Sequence, residues 1–364
     1  MNRNFARDPL GWLDDAARDG RGVRWMSRRA LCVYDAQLAR ALLRNDGGRM
    51  VDHSDFFGNG PSAPPRDVQI ALARQTLALV HQHAQTIDCQ RFVSALGQRS
   101  EWPRAGNALL LEMMRPVLAA PWRSRAFHDA LDTMVGTRIL SRHEPAAGTI
   151  RRIRNRFRFY RTVVGEAARA EVGPTDKPDL LEVIRSLEPD IDEKALVHLY
   201  AGIVFATVGS IGFALGWAVL QAVRQQKMEH SPAHLVLEAL RLYPVAWLFE
   251  RRVRQPEVIL GEPVLPTQSV TISPYAVHRN PAYWNEPTRF MPERWAASAD
   301  RTAWLPFGAG DHGCVAAGFS VGLASRLLAE ILSRSPEIEL GDGAPSLGAA
   351  LAPPRFILNL KPSP

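Results

Sequence analysis

"PFGAGDHGCVAAG", residues 306–318, decides between two architectures. Gly308, Gly310 and Gly313 spell GxGxxG, in which glycines let a pyrophosphate approach the backbone at a helix start. The same stretch delivers one cysteine, Cys314, from a loop with almost no side chains. A dinucleotide loop follows a buried strand and opens the first βαβ unit of a doubly wound domain. Here "RTAWLPF" is a poor strand broken by Pro306, and too little chain remains after Gly313 for a second half. Glu337 or Glu339 stands roughly where the ribose-binding acid would be, but the surrounding order of elements is wrong.

Working outward, the chain reads as mostly α. Residues 10–45 give helix, a short strand at Ala30–Tyr34, then helix. Helical periodicity recurs at 68–84, 89–97, 104–119, 123–140, 148–171, 179–187 and 192–223, with "VGPTDKP" as a breaker before the last two. From 246 the texture changes to short strands broken by Gly and Pro, two or three hairpins in "RRVRQPEVILGEPVLPTQSVTIS". A last helix spans about 315–334, and "PPRFILNLKP" closes the chain as β. That is not a βαβα alternation.

Composition narrows the setting. The 364 residues are 46% hydrophobic, enough for one large domain or two ordinary ones. A net charge of +7 admits acidic partners. Cys32, Cys89 and Cys314 are too few and too widely spaced for a disulfide framework or a zinc knuckle. The N-terminus has no apolar signal core, so a reducing cytoplasm is expected. Residues 195–223 contain no acidic or strongly basic side chain, and Gly212-x-x-x-Gly216 offers a helix-packing motif. Hydropathy alone admits a membrane span there or a helix buried through a large helical body.

A thiolate serves as a metal ligand when its charge is stabilised and its sulfur held still. Cys314 directly precedes the last helix, whose N-terminal dipole favours negative charge. The glycines keep bulk away, so a flat group could lie against the backbone, and His312 could aim a donor at its anionic edge. A flat anionic macrocycle with one axial thiolate is haem.

"FGAGDHGC" resembles the cysteine-loop signature of the cytochrome P-450 superfamily, with Phe307, Gly310 and Cys314 in place and Ala316 where the pattern ends in glycine. Two upstream motifs match in order. "LVLEALRLYP" carries Glu-x-x-Arg as Glu238 and Arg241, and "HRNPAYWNEPTRFMPERW" resembles the family's meander, with Arg294 as third member of a Glu-Arg-Arg network. The resemblance runs from about 190 to 335. It implies a single domain over 1–364, with an N-terminal mixed α/β part roughly at 1–60 and a helical haem-binding body roughly at 61–364. It also implies a mainly α fold with small β-sheets and a long central helix over the haem, which makes 192–223 that helix and removes the membrane reading.

The resemblance further implies haem b with Cys314 as axial iron ligand, and Phe307, Gly308, Gly310 and Ala316 shaping the loop. Arg252 matches the arginine that binds a propionate together with His312; adjacent Arg251 is the runner-up. A third propionate ligand is expected at residues 60–80, where Arg66 and Arg74 are candidates. The implied activity is a soluble bacterial-type monooxygenase acting on a small organic substrate in secondary metabolism. Its expected partner is a ferredoxin or flavodoxin, or a carrier protein, with no nucleic acid and no membrane.

One departure bears on activity. The family's central helix carries an acid and a hydroxyl that deliver protons during oxygen activation. Anchoring on Trp217 puts Ala206, Thr207, Val208, Gly209 and Ser210 at those positions, so the acid becomes Gly209 and the hydroxyl Ser210, with Thr207 a possible second. The other register, from Ala201-Gly202, gives Val204 and Phe205. Serine with ordered water could suffice. A peroxide-dependent or non-oxygenating enzyme, or a non-catalytic ligand-binding relative, are the alternatives. Finally, "RRIRNRFRFYR", 151–161, puts Arg151, Arg154, Arg158 and Arg161 on one helix face and Ile153, Phe157 and Tyr160 on another, the pattern of an amphipathic surface helix.

Overall fold

Side-chain caps start many of the helices that the periodicity predicts. Asp179 accepts from the N–H groups of Leu181 and Glu182 while Glu182 reaches back to Asp179, a complete capping box for Leu180–Leu187. Asp192 caps the central helix by accepting from Ala195 N–H. In this computed structural model residues 3–51, 65–141, 149–169, 178–296, 301–341 and 343–362 are described. Residues 52–64, most of the breaker stretch and the side chain of Arg66 lie outside them. The chain forms two units, Met1–Asp55 with Glu229–Ala317 and Ala349–Leu351, and Phe56–Met228 with Gly318–Gly348 and Ala352–Pro364.

The first unit is built on a four-stranded sheet in the order Val23–Ser27, Ala30–Val33, Ser269–Ile272, Phe249–Arg252. Ala30–Val33 runs parallel to Ser269–Ile272 and antiparallel to Val23–Ser27. It is thus an interior strand, and Leu31, Cys32 and Val33 are fully buried. Val23–Ser27 escaped the sequence reading because its central "RWM" lacks a clean period-two pattern. Glu257–Ile259 and Glu262–Val264 make the expected hairpin. The helix Pro232–Leu242 carries the Glu-x-x-Arg motif.

The second unit holds the helices Arg66–Gln85, Arg104–Leu118, Arg125–Met134, Thr149–Ala168 and Ala317–Leu332 (from Gly318), and the central helix Glu193–Arg224. A small antiparallel sheet orders Arg99–Trp102, Phe356–Asn359 and Glu337–Leu340. Two of those strands were not read from sequence. Glu339, the dinucleotide candidate acid, pairs there with Arg99 at 3.0 Å.

The central helix is the one helix among the described residues apolar and long enough to cross a membrane, and 83% of its most apolar stretch is buried. Its Gly212 and Gly216 are used inside the unit. A Cβ at Gly212 would fall 2.7 Å from Asn107 Oδ1, and one at Gly216 3.0 Å from Pro353. The motif therefore lets neighbouring segments approach this helix closely.

The helix Thr149–Ala168 corrects one expectation. Ile153 and Phe157 are 63% and 60% exposed, on the solvent side with the arginines. The buried seam is Phe159, Val163, Glu166 and Ala167, spaced four, three and one. Phe159 packs on Tyr200 at 6.4 Å, and Phe127 packs on the same ring at 5.4 Å. Two apolar strips compete on this helix, and that contact with the central helix selects the less apolar one.

Candidate active site

Cys314 lies at the end of a loop closed by its own backbone. Its N–H donates to Phe307 O at 2.9 Å, Gly308 N–H to Leu305 O at 3.2 Å, and Gly313 N–H to Gly310 O at 2.9 Å. Gly308 and Gly310 have φ near +70°, where side chains are strained. At Gly310 a Cβ would also meet the Arg44 backbone at 2.7 Å. These glycines are thus accounted for by turn geometry and by seating on the helix Ala36–Arg44. Among the described residues no strand leads directly into the loop, and the next α-helix starts only at Ala317. The features of a dinucleotide fingerprint are missing on both sides.

Cys314 is exposed, whereas Cys32 and Cys89 are buried, and all three are free thiols. Although its surface is open, the surrounding chain crowds the Cys314 sulfur enough to push its thiol up, while the Ala316 N–H pulls it down. The expected helix-terminal stabilisation is therefore weaker than the sequence suggested, because the helix begins three residues on. A bound metal deprotonates a coordinating thiol outright, so this shift does not bar ligation.

Glu238, Arg241 and Arg294 do meet. Glu238 and Arg241 are 0% exposed. Arg241 donates to both carboxylate oxygens of Glu238, at 2.9 and 2.8 Å, and Arg294 Nε donates to Oε1 at 3.1 Å. Met291 N–H and Trp295 Nε1 complete the shell, each at 2.9 Å. Arg241 spends its other donors on the carbonyls of His278, Pro287 and Arg289, at 2.7, 2.7 and 2.9 Å. Both charges are fully hydrogen-bonded, the condition under which a buried pair persists.

His278 was not singled out from sequence, yet it joins this network to the loop. Its Nε2 accepts from Leu305 N–H at 2.8 Å, and Leu305 O receives Gly308 N–H. Its Nδ1 must then carry the proton it donates to Arg241 O at 2.8 Å. Burial, and then the Arg241 charge, hold this imidazole well below its ordinary value, so it is neutral. Aromatic rings follow the same path. Phe307 meets Trp304 edge-on at 5.7 Å, Trp304 meets Trp295 at 5.5 Å, and Trp295 meets Trp284 at 6.0 Å. "HRNPAYW", "ERW" and "AWLPF" supply these rings, and only folding shows that they line up.

The strand Phe249–Arg252 separates the two arginines. Alternate residues share a face, so Arg251 lies with Phe249 and Arg252 lies with Glu250. Phe249 is the residue turned to the loop, 3.6 Å from where a Gly308 Cβ would stand. Arg251 is buried on that face, and Arg252 is exposed on the other. His312 is half-buried in the short turn Gly310–His312.

In the second unit, the central helix changes winding at the anchored register. Residues Phe205–Ser210 form a π segment, an insertion found frequently at functional sites. The Thr207 hydroxyl donates to Ile203 O at 2.8 Å and is buried. Ser210 is half-buried. A Cβ at Gly209 would stand 3.1 Å from the Phe205 ring and 3.2 Å from Ile139. A side chain at Gly209 would therefore be crowded. Arg74 is exposed on the helix Arg66–Gln85.

Comparisons with known proteins agree with this arrangement. Residues 224–334 match the cytochrome P450 family. Cyclooctatin synthase of Streptomyces melanosporofaciens is 41% identical over 101 residues, covering 27% of this chain and 22% of that protein. Cyclooctat-9-en-7-ol 5-monooxygenase of the same organism is 38% identical over 105 residues, 28% of this chain and 23% of that protein. The sequence match thus spans less than a quarter of the length of these curated relatives. In fold, the hydroxylase HmtN aligns over 100% of both chains with a TM-score of 0.74 and 15% identity. A mutant of P450 EryK in complex with erythromycin B aligns over 99% and 97%, with a TM-score of 0.71 and 19% identity. Residues 224–334 thus carry the sequence pattern of the cytochrome P450 family, and the chain as a whole has the fold of solved cytochrome P450 structures.

Proposed function

We propose that the chain is a haem-thiolate monooxygenase acting on a small organic substrate by hydroxylation, epoxidation or oxidative coupling, in bacterial secondary metabolism. The observation that carries this reading is Cys314, the exposed cysteine of the three, presented by a loop whose conformation is fixed by hydrogen bonds and glycine packing. Haem b fits the donor set. The macrocycle would bring its own nitrogen ligands and need one further donor atom from the protein, which Cys314 would supply. Among the described residues no group of three or more His, Cys, Asp or Glu could hold a bare metal ion instead. Bound through Cys314, haem supplies the one-electron and dioxygen chemistry that side chains lack.

The chain's own residues would do the remainder. The Ala316 N–H at the sulfur tempers its electron donation. His312 and Arg251, favoured by its strand face over Arg252, offer the charges that propionates need. Phe307, Gly308 and Gly310 keep the loop thin, and Glu238, Arg241 and Arg294 hold its base. Of the central-helix hydroxyls, Thr207 is committed to Ile203 O, so Ser210 is the stronger candidate for moving protons. A ferredoxin or flavodoxin-type protein is the expected electron donor, with a carrier protein as the alternative partner. The net charge of +7 suits an acidic protein, and three free thiols suit the cytoplasm.

Gly209 favours a second reading, a peroxide-dependent or non-oxygenating enzyme, because no carboxylate stands at that position. The first test is spectroscopic. The dithionite-reduced protein with carbon monoxide should show the red-shifted Soret band of thiolate-ligated haem. Cys314→Ala should lose it; Cys32→Ala and Cys89→Ala should keep it. Retention in Cys314→Ala overturns the proposal. Turnover with reductase and NADPH, with peroxide, or with neither then separates the monooxygenase, the second reading and a non-catalytic relative.

A further inference from the structure

A cleft of about 350 Å³ opens in the second unit between Arg125–Ile139 and the arginine-rich helix Thr149–Ala168. Its floor is apolar, with Met134 2% and Phe159 5% exposed. Arg138, Arg156 and Arg158 line its walls, and among the described residues no carboxylate does. Two acids of these helices are engaged elsewhere, Asp132 with Arg115 at 2.5 Å and Glu166 with Arg169 at 3.4 Å. Among the described residues none of these three guanidiniums has an ion-pair partner.

Arg138 is half-buried and lies over the Phe159 ring at 5.5 Å, which orients its plane without neutralising it. Its charge is disfavoured where it stands. Burial lowers its pKa first, and the Arg156 charge lowers it further. Thr133 and Thr137 also line the cleft, but their hydroxyls donate to the carbonyls of Asp129 and Thr133, at 2.8 and 2.7 Å. Ser141 and Asn155 add neutral polar groups, and the charge comes from the guanidiniums, which suit oxyanions carrying more than one negative charge. The cleft is of ligand-pocket size, and its floor can take an apolar group beside the anion.

We propose that this cleft binds a small organic phosphate, its oxyanion held by Arg138, Arg156 and Arg158 and its organic part laid over Met134 and Phe159. The site stands independently of the chemistry at Cys314. Calorimetric titration of the full-length holoprotein with phenyl phosphate, at ionic strength held constant with sodium chloride, tests it. One saturable site is expected, with affinity at least about tenfold weaker in Arg156→Gln and in Arg138→Gln, each of which loses a charge-assisted contact. Arg156 is exposed, so its variant keeps the test sound if Arg138→Gln folds poorly. Arg151→Gln, exposed on the same helix outside the cleft, should bind as the parent does.

Absence of saturable binding overturns the proposal. So does equal weakening in Arg151→Gln, which would reduce the effect to the helix's general field. Inorganic pyrophosphate or benzoate binding as tightly as phenyl phosphate would overturn the assignment of an organic phosphate.

Discussion

Two regions of the molecule solve opposite problems. Around Glu238 the first unit buries charge and satisfies it completely: five donors converge on one carboxylate, and the network continues through neutral His278 to the cysteine loop. Around Gly209 the second unit is apolar, and Phe205, in the π segment, and Ile139 pack close to where a Cβ would stand. One region gains rigidity from polar bonds and the other from close packing. Their responses to substitution should differ accordingly.

The largest effect belongs to the charge network. Glu238→Ala strands Arg241 in the interior, and breaking a buried pair costs about 3–5 kcal/mol. Chemical denaturation should show that loss together with little holoprotein, and near-parental stability would make these residues ordinary surface pairs. Gly310→Ala comes next. It combines left-handed strain with a collision against the Arg44 backbone, about 3 kcal/mol together. A parental melting curve for this variant would contradict the seating of the loop.

Gly209→Ala tests the packed region. Overfilling against Phe205 and Ile139 should cost about 1–2 kcal/mol, and Gly209→Asp more, since it adds a buried carboxyl. If Gly209→Asp is as stable as the parent and improves reductase-driven turnover, packing did not exclude the acid.

His278 gives a smaller, pH-dependent term. It is neutral when folded and takes a proton more readily when unfolded, so its contribution is intact above the ordinary value of 6.5. That contribution shrinks as pH falls from 6.5 toward the depressed folded value. The slope is at most about 1.4 kcal/mol per pH unit. Denaturation midpoints measured from pH 7.5 to 5 should fall less steeply in His278→Gln; an unchanged slope would assign the acid sensitivity to other groups. Ser210→Ala is the mildest change for stability, within about 0.5 kcal/mol. Its effect should appear in coupling instead, as lower product yield per NADPH and more released peroxide. Unchanged coupling would move the register or give proton delivery to the substrate.

Much of this was readable in advance because local signals carried it. The central helix is legible from its unbroken apolar run and Asp192 cap. The Glu238–Arg241 pair is legible from an i,i+3 spacing inside a helical pattern, and Cys314 from its glycine-lined setting. What failed locally was choice between near-equal options. Arg251 and Arg252 are adjacent and chemically identical, and only strand pairing with Ser269–Ile272 assigns them to opposite faces. Ile153 and Phe157 form as good an apolar strip as Phe159 and Val163, and only the contact with Tyr200 decides which is buried.

By itself, then, the sequence determined the helical class, the order of the motifs and the identity of the exposed thiol, because period, spacing and residue chemistry act over a few turns. Tertiary structure decided which of two arginines is buried on the Phe249 face, which side of the arginine-rich helix meets water, and that His278 relays one motif to the other. Those outcomes depend on pairings between segments far apart in the chain, such as His278 Nε2 with Leu305 N–H and Arg241 with the Pro287 and Arg289 carbonyls. Their energies appear only when the backbone has brought the partners within hydrogen-bond reach.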